Sequence, residues 1–302
     1  MAKHLWGIDL GGTKREGIIL NADDYSVVHR HRIPTEAAGG YEHMVSRVGV
    51  LVEELQQATG LTPTRIGLGT PGTVDPPTGL HKNSNTTIIN GRPFVADVAK
   101  RLGLEVPTAN DANCFAVAEA RLGSVREQVP QAKLIFGIIM GTGVGGGLVI
   151  DGKPWNGPQG IGGEWGHSFL DHSGGPCYCG KTGCVERILS GPSLQHYYHE
   201  HSGTELPLQT ILKRHAAGTD EIADDTVERL LHYFGKGLAN LINILDPDAI
   251  ILGGGLGNID LLYTEGVRRI EDFIFNPRVE TPILRPKLGD SAGVFGAAFL
   301  TE

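Results

Sequence analysis

Three cysteines and a histidine fall within eighteen residues, at His167, Cys177, Cys179 and Cys184, in the stretch EWGHSFLDHSGGPCYCGKTGCVE that runs from Glu164 to Glu186. Three thiolates and one imidazole supply every ligand of a closed tetrahedral zinc site. Glu164 lies one helical turn's spacing before His167 and Glu186 two residues after Cys184, so a metal staple here would fix two acceptor side chains in space. That arrangement suits a small polar ligand. A disulfide framework fits poorly, because three clustered thiols leave one unpaired. The chain also opens Met-Ala-Lys-His with no apolar signal segment, the pattern expected of a protein kept in a reducing cytoplasm.

The same stretch satisfies the spacing G-x-x-x-x-G-K-T from Gly175 to Thr182, a pattern that elsewhere cradles phosphates. Its context argues against that use. A phosphate loop of this kind follows a buried strand and opens a helix, whereas Asp171-His-Ser-Gly-Gly precedes the match and Gly183-Cys184 follows it.

Phosphate-binding signals lie elsewhere. Leu5 to Ile8 is a short apolar strand that runs into Asp9-Leu-Gly11-Gly12-Thr13-Lys14, and Gly17 to Leu20 reads as the returning strand. Glycines let backbone amides approach an anion, a threonine hydroxyl donates to a phosphoryl oxygen, and an aspartate at a strand end can hold a hydrated Mg²⁺. The unit recurs. Leu134 to Met140 is again an apolar strand, Gly141-Thr142-Gly143-Val-Gly145-Gly146 again a Gly-Thr tip, and Gly147 to Ile150 again a return. The second tip also matches G-x-G-x-x-G, but a strand follows it where a dinucleotide fold needs a helix. Two such hairpins suggest two related α/β lobes around a nucleotide.

Length and charge agree with that class. The 302 residues suffice for about two domains. The 44 glycines cluster at the ends of apolar runs, where loops approach ligands. No apolar run nears the roughly 20 residues that span a bilayer, and a formal charge of −8 disfavours a nucleic-acid surface.

Further along, Tyr41 to Ala58 carries a helix-period apolar stripe, and Ile66 to Gly72 reads as a strand ending in a Gly-Pro-Gly corner. The polar loop after it holds Asn83, Ser84, Asn85 and Asn90, whose amides suit sugar hydroxyls or simply form turns. Asn110-Asp111-Ala-Asn113 sits at a strand-to-helix junction. There Asp111 serves either as a helix cap or as a general base, with Asn110 orienting the same substrate. A long amphipathic helix ending at Asp246-Pro247 precedes the strand Ala249 to Leu252 and the run Gly253-Gly254-Gly255, where an adenosine would find bare backbone. The small-residue helix at the C-terminus is placed to pack back on the first lobe.

With these residues in place, the chain resembles the ROK family of sugar kinases and repressors over essentially its full length. Asp9-Leu-Gly-Gly-Thr-Lys is similar to the family's first phosphate motif and Gly141-Thr-Gly to its second, while His167, Cys177, Cys179 and Cys184 match its zinc ligands. The resemblance places the sugar contacts on Asn110, Asp111, Glu164, His167 and Glu186. It implies an α/β, two-lobe, actin-like (ribonuclease H-like) fold, ATP with Mg²⁺, and a homodimer. The expected division is a small lobe of residues 1–110 plus 288–302 and a large lobe of residues 111–287. Residues 82–93, 163–167 and 176–181 look most like the fructokinase (mannofructokinase) branch, so the expected reaction is transfer of the ATP γ-phosphoryl to the 6-hydroxyl of fructose, with Asp111 as base. The N-acetylglucosamine kinase branch is the runner-up, sharing Asn110 to Phe115 and much of Asp246 to Gly255. A repressor would need a DNA-binding segment ahead of the first phosphate motif, where eight residues leave no room. An actin-like filament would have no use for a zinc-pinned pair of glutamates.

Overall fold

The apolar run that opens the chain becomes β1 (His4–Leu10) in the computed structural model, which describes residues 3–302. It returns as β2 (Lys14–Asn21) and again as β3 (Val27–Pro34). Only Gly11, Gly12 and Thr13 form the turn between β1 and β2, so the tip is tighter than the sequence suggests: Asp9 belongs to β1 and Lys14 to β2. The antiparallel register sets Asp9 directly opposite Glu16. Helix α1 (Tyr41–Thr59) buries Val45, Val48, Leu51, Val52 and Leu55 and ends where Gly60 turns left-handed. Next come β4 (Gly67–Thr70), the two-residue strands β5 (Thr73–Val74) and β6 (His81–Lys82), α2 (Phe94–Leu102) and β7 (Thr108–Asn110). The first sheet has the order β3-β2-β1-β4-β7, with β4 parallel to β1 and β7 parallel to β4. Trp6, Ile8, Ile19, Leu51 and Phe94 share one core on this sheet. Truncating Leu51, fully buried there, to alanine costs roughly 2–5 kcal/mol by the usual cavity penalty.

Helices α3 (Asp111–Arg121) and α4 (Ser124–Gln128) lead to β8 (Leu134–Met140), β9 (Val144–Ile150) and β10 (Lys153–Pro154). The tip of this second hairpin is again three residues, Gly141 to Gly143, because β9 starts at Val144 rather than at Gly147. Beyond the cysteine-rich loop come α5 (Glu186–Leu189), α6 (Gly191–Ser202), α7 (Leu208–Ala216) and α8 (Glu221–Leu245). Asp220 caps α8 through the amides of Ile222 and Ala223, and Asp246, in the left-handed region at φ 44°, ends it ahead of Pro247. Strand β11 (Ala249–Gly253) then lies parallel to β8; α9 (Glu265–Ile270), β12 (Ile283–Leu284) and α10 (Ala292–Phe299) complete the chain. The second sheet has the order β10-β9-β8-β11-β12.

The chain divides into two compact units, one comprising residues up to Gly123 with Gly147–Gly162 and Leu288–Glu302, the other Ser124–Gly146 and Gly163–Lys287. The first unit therefore continues past residue 110 to include α3, and α10 packs within it on β1 and α3. Among the described residues, no helix is long and apolar enough to cross a membrane.

Candidate active site

In the first unit, the end of β7 settles which side chain caps α3. Asn110 is the N-cap, its Oδ1 accepting the Asn113 amide at 2.7 Å, and Asp111 is the first helical residue. One Asp111 oxygen accepts the Ala112 amide at 2.8 Å. The neighbour does the capping, so Asp111 is not the cap of α3. Water reaches the residue, yet its surroundings are dense enough that burial pushes its carboxyl above the usual range. Asn113, by contrast, is buried structure: it accepts the Leu148 amide and donates to Asn156, each at 2.9 Å.

Asp9 lies close enough to Asp111 for the two charges to repel. Burial first, then Asp111 and Glu16, push the Asp9 carboxyl up to about 7, with Lys14 acting the other way. Glu16, opposite Asp9, is itself clamped by Arg30 and by Arg32 Nε at 2.9 Å. A crowded, partly protonated carboxyl of this kind is suited to a cation, so Asp9 fits Mg²⁺. In metal-free protein the crowding carries a stability cost with a definite sign. Between 3.8 and about 7 the folded chain keeps the Asp9 proton and the unfolded chain releases it, so the cost grows as pH rises through this window and is constant above it. Asp9→Asn should therefore melt above wild type at pH 8 and converge with it towards pH 4, measured by scanning calorimetry in chelator. A parallel pair of curves across that range would refute the assignment.

The first Gly-Thr tip is held by Thr35, whose amide donates to the Thr13 carbonyl at 3.0 Å and whose hydroxyl donates to the Gly11 carbonyl at 2.7 Å. Gly12, Thr13 and Lys14 are exposed. Asn83 lies on a separate loop after β6, exposed and left-handed at φ 60°. The amide of its neighbour Asn90 is taken up by both backbone groups of Ser84, at 2.8 and 3.0 Å.

In the second unit, the other tip borders an open cavity of about 720 Å³ lined by Gly141, Thr142, Gly191, Gln195, Gly255 and Asn258, among others. That volume accommodates a nucleotide. Gly141, Thr142 and Gly255 are among the residues the sequence marks, whereas Gln195 and Asn258 reach the wall only through the packing of α6 and the turn after β11. The three glycines after β11 divide by role. Gly253 closes the strand; a Cβ on Gly254 (φ 75°) would come within 2.2 Å of the Met140 carbonyl; Gly255 has open space at that position and faces the cavity. Gly143 is needed for a different reason, since a Cβ there would sit 2.6 Å from Glu186 Oε2. Glu186 accepts the Val144 amide at 3.0 Å, which ties the cysteine-rich loop to the tip.

That loop gathers the expected ligands. One donor atom from each of His167, Cys177, Cys179 and Cys184 lies within 4.8 Å of all the others. Cys179 Sγ is 3.6 Å from Cys184 Sγ, and Cys177 Sγ is 3.7 Å from His167 Nδ1. The edges of a tetrahedron with zinc bonds of about 2.0–2.3 Å have roughly this length. The donor set therefore fits zinc, with Nδ1 as the histidine's ligand atom. The Gly175 to Thr182 match is a tight hairpin around the cysteines, closed by the Cys177 amide on the Lys181 carbonyl at 2.7 Å, and no helix follows it at once. Glu164 immediately precedes the short helical turn that carries His167.

The ROK family profile matches residues 5–302. The chain is 36% identical to the N-acetyl-D-glucosamine kinases of Pasteurella multocida, over 98% of both chains, and of Vibrio parahaemolyticus, again over 98% of both. Among solved structures it is similar to a ROK hexokinase from Thermus thermophilus (TM-score 0.84, 28% identity, 98% of this chain and 97% of that one). It is also similar to a ROK family glucokinase from Streptomyces griseus in complex with glucose and AMPPNP (TM-score 0.76, 27% identity, 98% of both). The fold is thus the mixed α/β, two-lobe, actin-like class expected from the sequence. These two curated relatives are named N-acetyl-D-glucosamine kinase, whereas residues 82–93, 163–167 and 176–181 favour the fructokinase branch.

Proposed function

The chain belongs to the ROK family, and on that premise we propose that it is an ATP-dependent kinase phosphorylating the 6-hydroxyl of N-acetyl-D-glucosamine. The observation that carries the kinase reading is Asp111: it stands at the start of α3 with the capping duty taken by Asn110, and burial raises its carboxyl above the ordinary range, which favours its taking a proton. The choice of sugar is supported by relatives 36% identical over nearly the whole chain.

In this reading Asp111 accepts the proton of the sugar's 6-hydroxyl as its oxygen bonds to the γ-phosphorus and the β–γ bridge to ADP breaks. Asn110, with its oxygen fixed by the cap, offers its Nδ2 protons to a neighbouring sugar oxygen. Glu164 and Glu186 accept from ring hydroxyls, and Asn83 is assigned to the same substrate. The amides and hydroxyls of Gly11 to Thr13 and of Gly141 to Gly143 hold phosphate oxygens, and the 720 Å³ cavity with Gly255 on its wall takes the adenosine. Mg²⁺ on Asp9 would offset phosphate charge. His167, Cys177, Cys179 and Cys184 would hold zinc, which would fix the loop that carries the acceptor-holding side chains. Positioning and charge stabilisation supply most of the rate in such reactions.

Two of the three passages that favour fructose have structural duties. Asn90 is bonded back to Ser84, and residues 176–181 are folded around the cysteines. Their likeness to one branch therefore weighs less on sugar choice than identity along the whole chain. Comparison of kcat/KM for N-acetylglucosamine, glucose, mannose and fructose with ATP and Mg²⁺ decides the matter. N-acetylglucosamine should lead by at least about tenfold, the scale on which an unpaired buried amide penalises the wrong site. A lead for fructose would restore the other branch.

A further inference from the structure

Tyr178 stands between two metal ligands in the sequence, and the fold turns its hydroxyl onto a third. Its Oη lies 2.9 Å from His167 Nε2, with the two rings edge to face at 5.1 Å and 88°. The direction of this hydrogen bond follows from the other nitrogen. His167 Nδ1 faces Cys177 Sγ and is the atom that fits zinc, and an imidazole that gives Nδ1 to a metal keeps its proton on Nε2. That nitrogen donates to the tyrosine oxygen. It has one proton only.

A sugar hydroxyl cannot accept from His167 while Tyr178 holds that proton. The tyrosine is also well placed to meet an arriving sugar, since Glu186 and Glu164 lie close enough to act electrostatically on the same hydroxyl. At 78% exposure it gives up little apolar contact by swinging away.

We infer that Tyr178 occupies, in the sugar-free protein, the hydrogen-bonding position on His167 that the acceptor sugar takes, so that every acceptor binds in competition with it. The inference rests on the reading of Glu164, His167 and Glu186 as acceptor-holding groups. Sugar binding then exchanges one hydrogen bond for another at His167, and the tyrosine lowers affinity by the worth of the bond it must surrender. Water can reach the exposed edge, so removing the hydroxyl leaves no buried donor stranded.

The test is Tyr178→Phe, which keeps the ring beside His167 and removes the competing oxygen. Titration calorimetry with N-acetylglucosamine, without nucleotide, should give a Kd about three- to tenfold lower than wild type, the net range of one hydrogen bond. Zinc content should stay at one per chain. Wild type should also show a tyrosine difference absorbance on sugar addition that the variant lacks. A merely structural tyrosine would lower affinity or leave it alone. An unchanged or raised Kd in zinc-replete variant, with wild type binding the sugar, overturns this inference and leaves the proposed function standing. Failure of wild type to bind any of the four hexoses overturns both.

Discussion

Asp111→Asn is expected to lower kcat by about 10² to 10⁴, the usual consequence of losing a general base, while leaving the sugar's Kd within a few-fold of wild type. The neighbouring Asn110 supplies the control. Its Oδ1 caps α3, so Asn110→Ala should cost roughly 1 kcal/mol of stability through the lost cap, visible as a lower Tm. Asp111 is worth less to the helix, since an acidic residue in the first turn contributes about 0.3–1 kcal/mol through the dipole. Asn110→Ala also removes a proposed sugar contact, so it serves as the reference for Tm alone. Because burial raises the Asp111 carboxyl, its basic form is lost as pH falls through a value above the ordinary carboxylate range, and kcat should decline on that side first. Near-normal turnover in Asp111→Asn, with a Tm loss larger than that of Asn110→Ala, would mean that Asp111 only stabilises α3.

Much of this was legible in the sequence because it is local. The hairpins of β1–β2 and β8–β9 show as apolar runs flanking Gly-Thr tips, α1 and α8 as helical stripes, and the candidate zinc ligands as spacing alone. Three things were not. Tip length is hidden in both hairpins because Lys14 and the glycines after Val144 do not look like strand residues; pairing with β1 and β8 makes them so. The division of labour between Asn110 and Asp111 depends on which residue adopts extended backbone before α3, and two adjacent capping residues give no signal of that. Gln195 and Asn258 reach the cavity through tertiary packing of elements distant in sequence, which no local pattern encodes. Tyr178 belongs with these. It reads as filler between Cys177 and Cys179 until the loop closes and sets it on His167.

Removal of zinc is expected to weaken sugar binding strongly while sparing the nucleotide cavity. Between Asp171 and Gly183 the loop buries little besides Gly174, Cys177 and Gly183, so its shape depends on the four ligands and a few backbone bonds rather than on an apolar core. Metal binding supplies about 10–16 kcal/mol in small structural zinc sites, far more than such bonds provide. Burial pushes the Cys184 thiol up to about 12, so without metal it stays protonated and has no charge to offer a partner. Cys184→Ser, or prolonged chelation of the wild type, should therefore release the loop. Amide exchange across residues 171–183 should speed up, and affinity for N-acetylglucosamine should fall by more than about tenfold, as expected when the groups orienting a site lose their support. The cavity walls at Gly141, Gln195 and Gly255 lie outside that loop, on the β8–β9 tip, on α6 and just after β11, so ADP affinity should change little. One link runs the other way: Glu186 bonds the Val144 amide beside the tip, and a modest loss of ATP affinity, larger than that of ADP, would trace to it. If zinc-free protein binds the sugar as tightly as the native form, the acceptor does not depend on this loop, and the roles given to Glu164, His167 and Glu186 fall together.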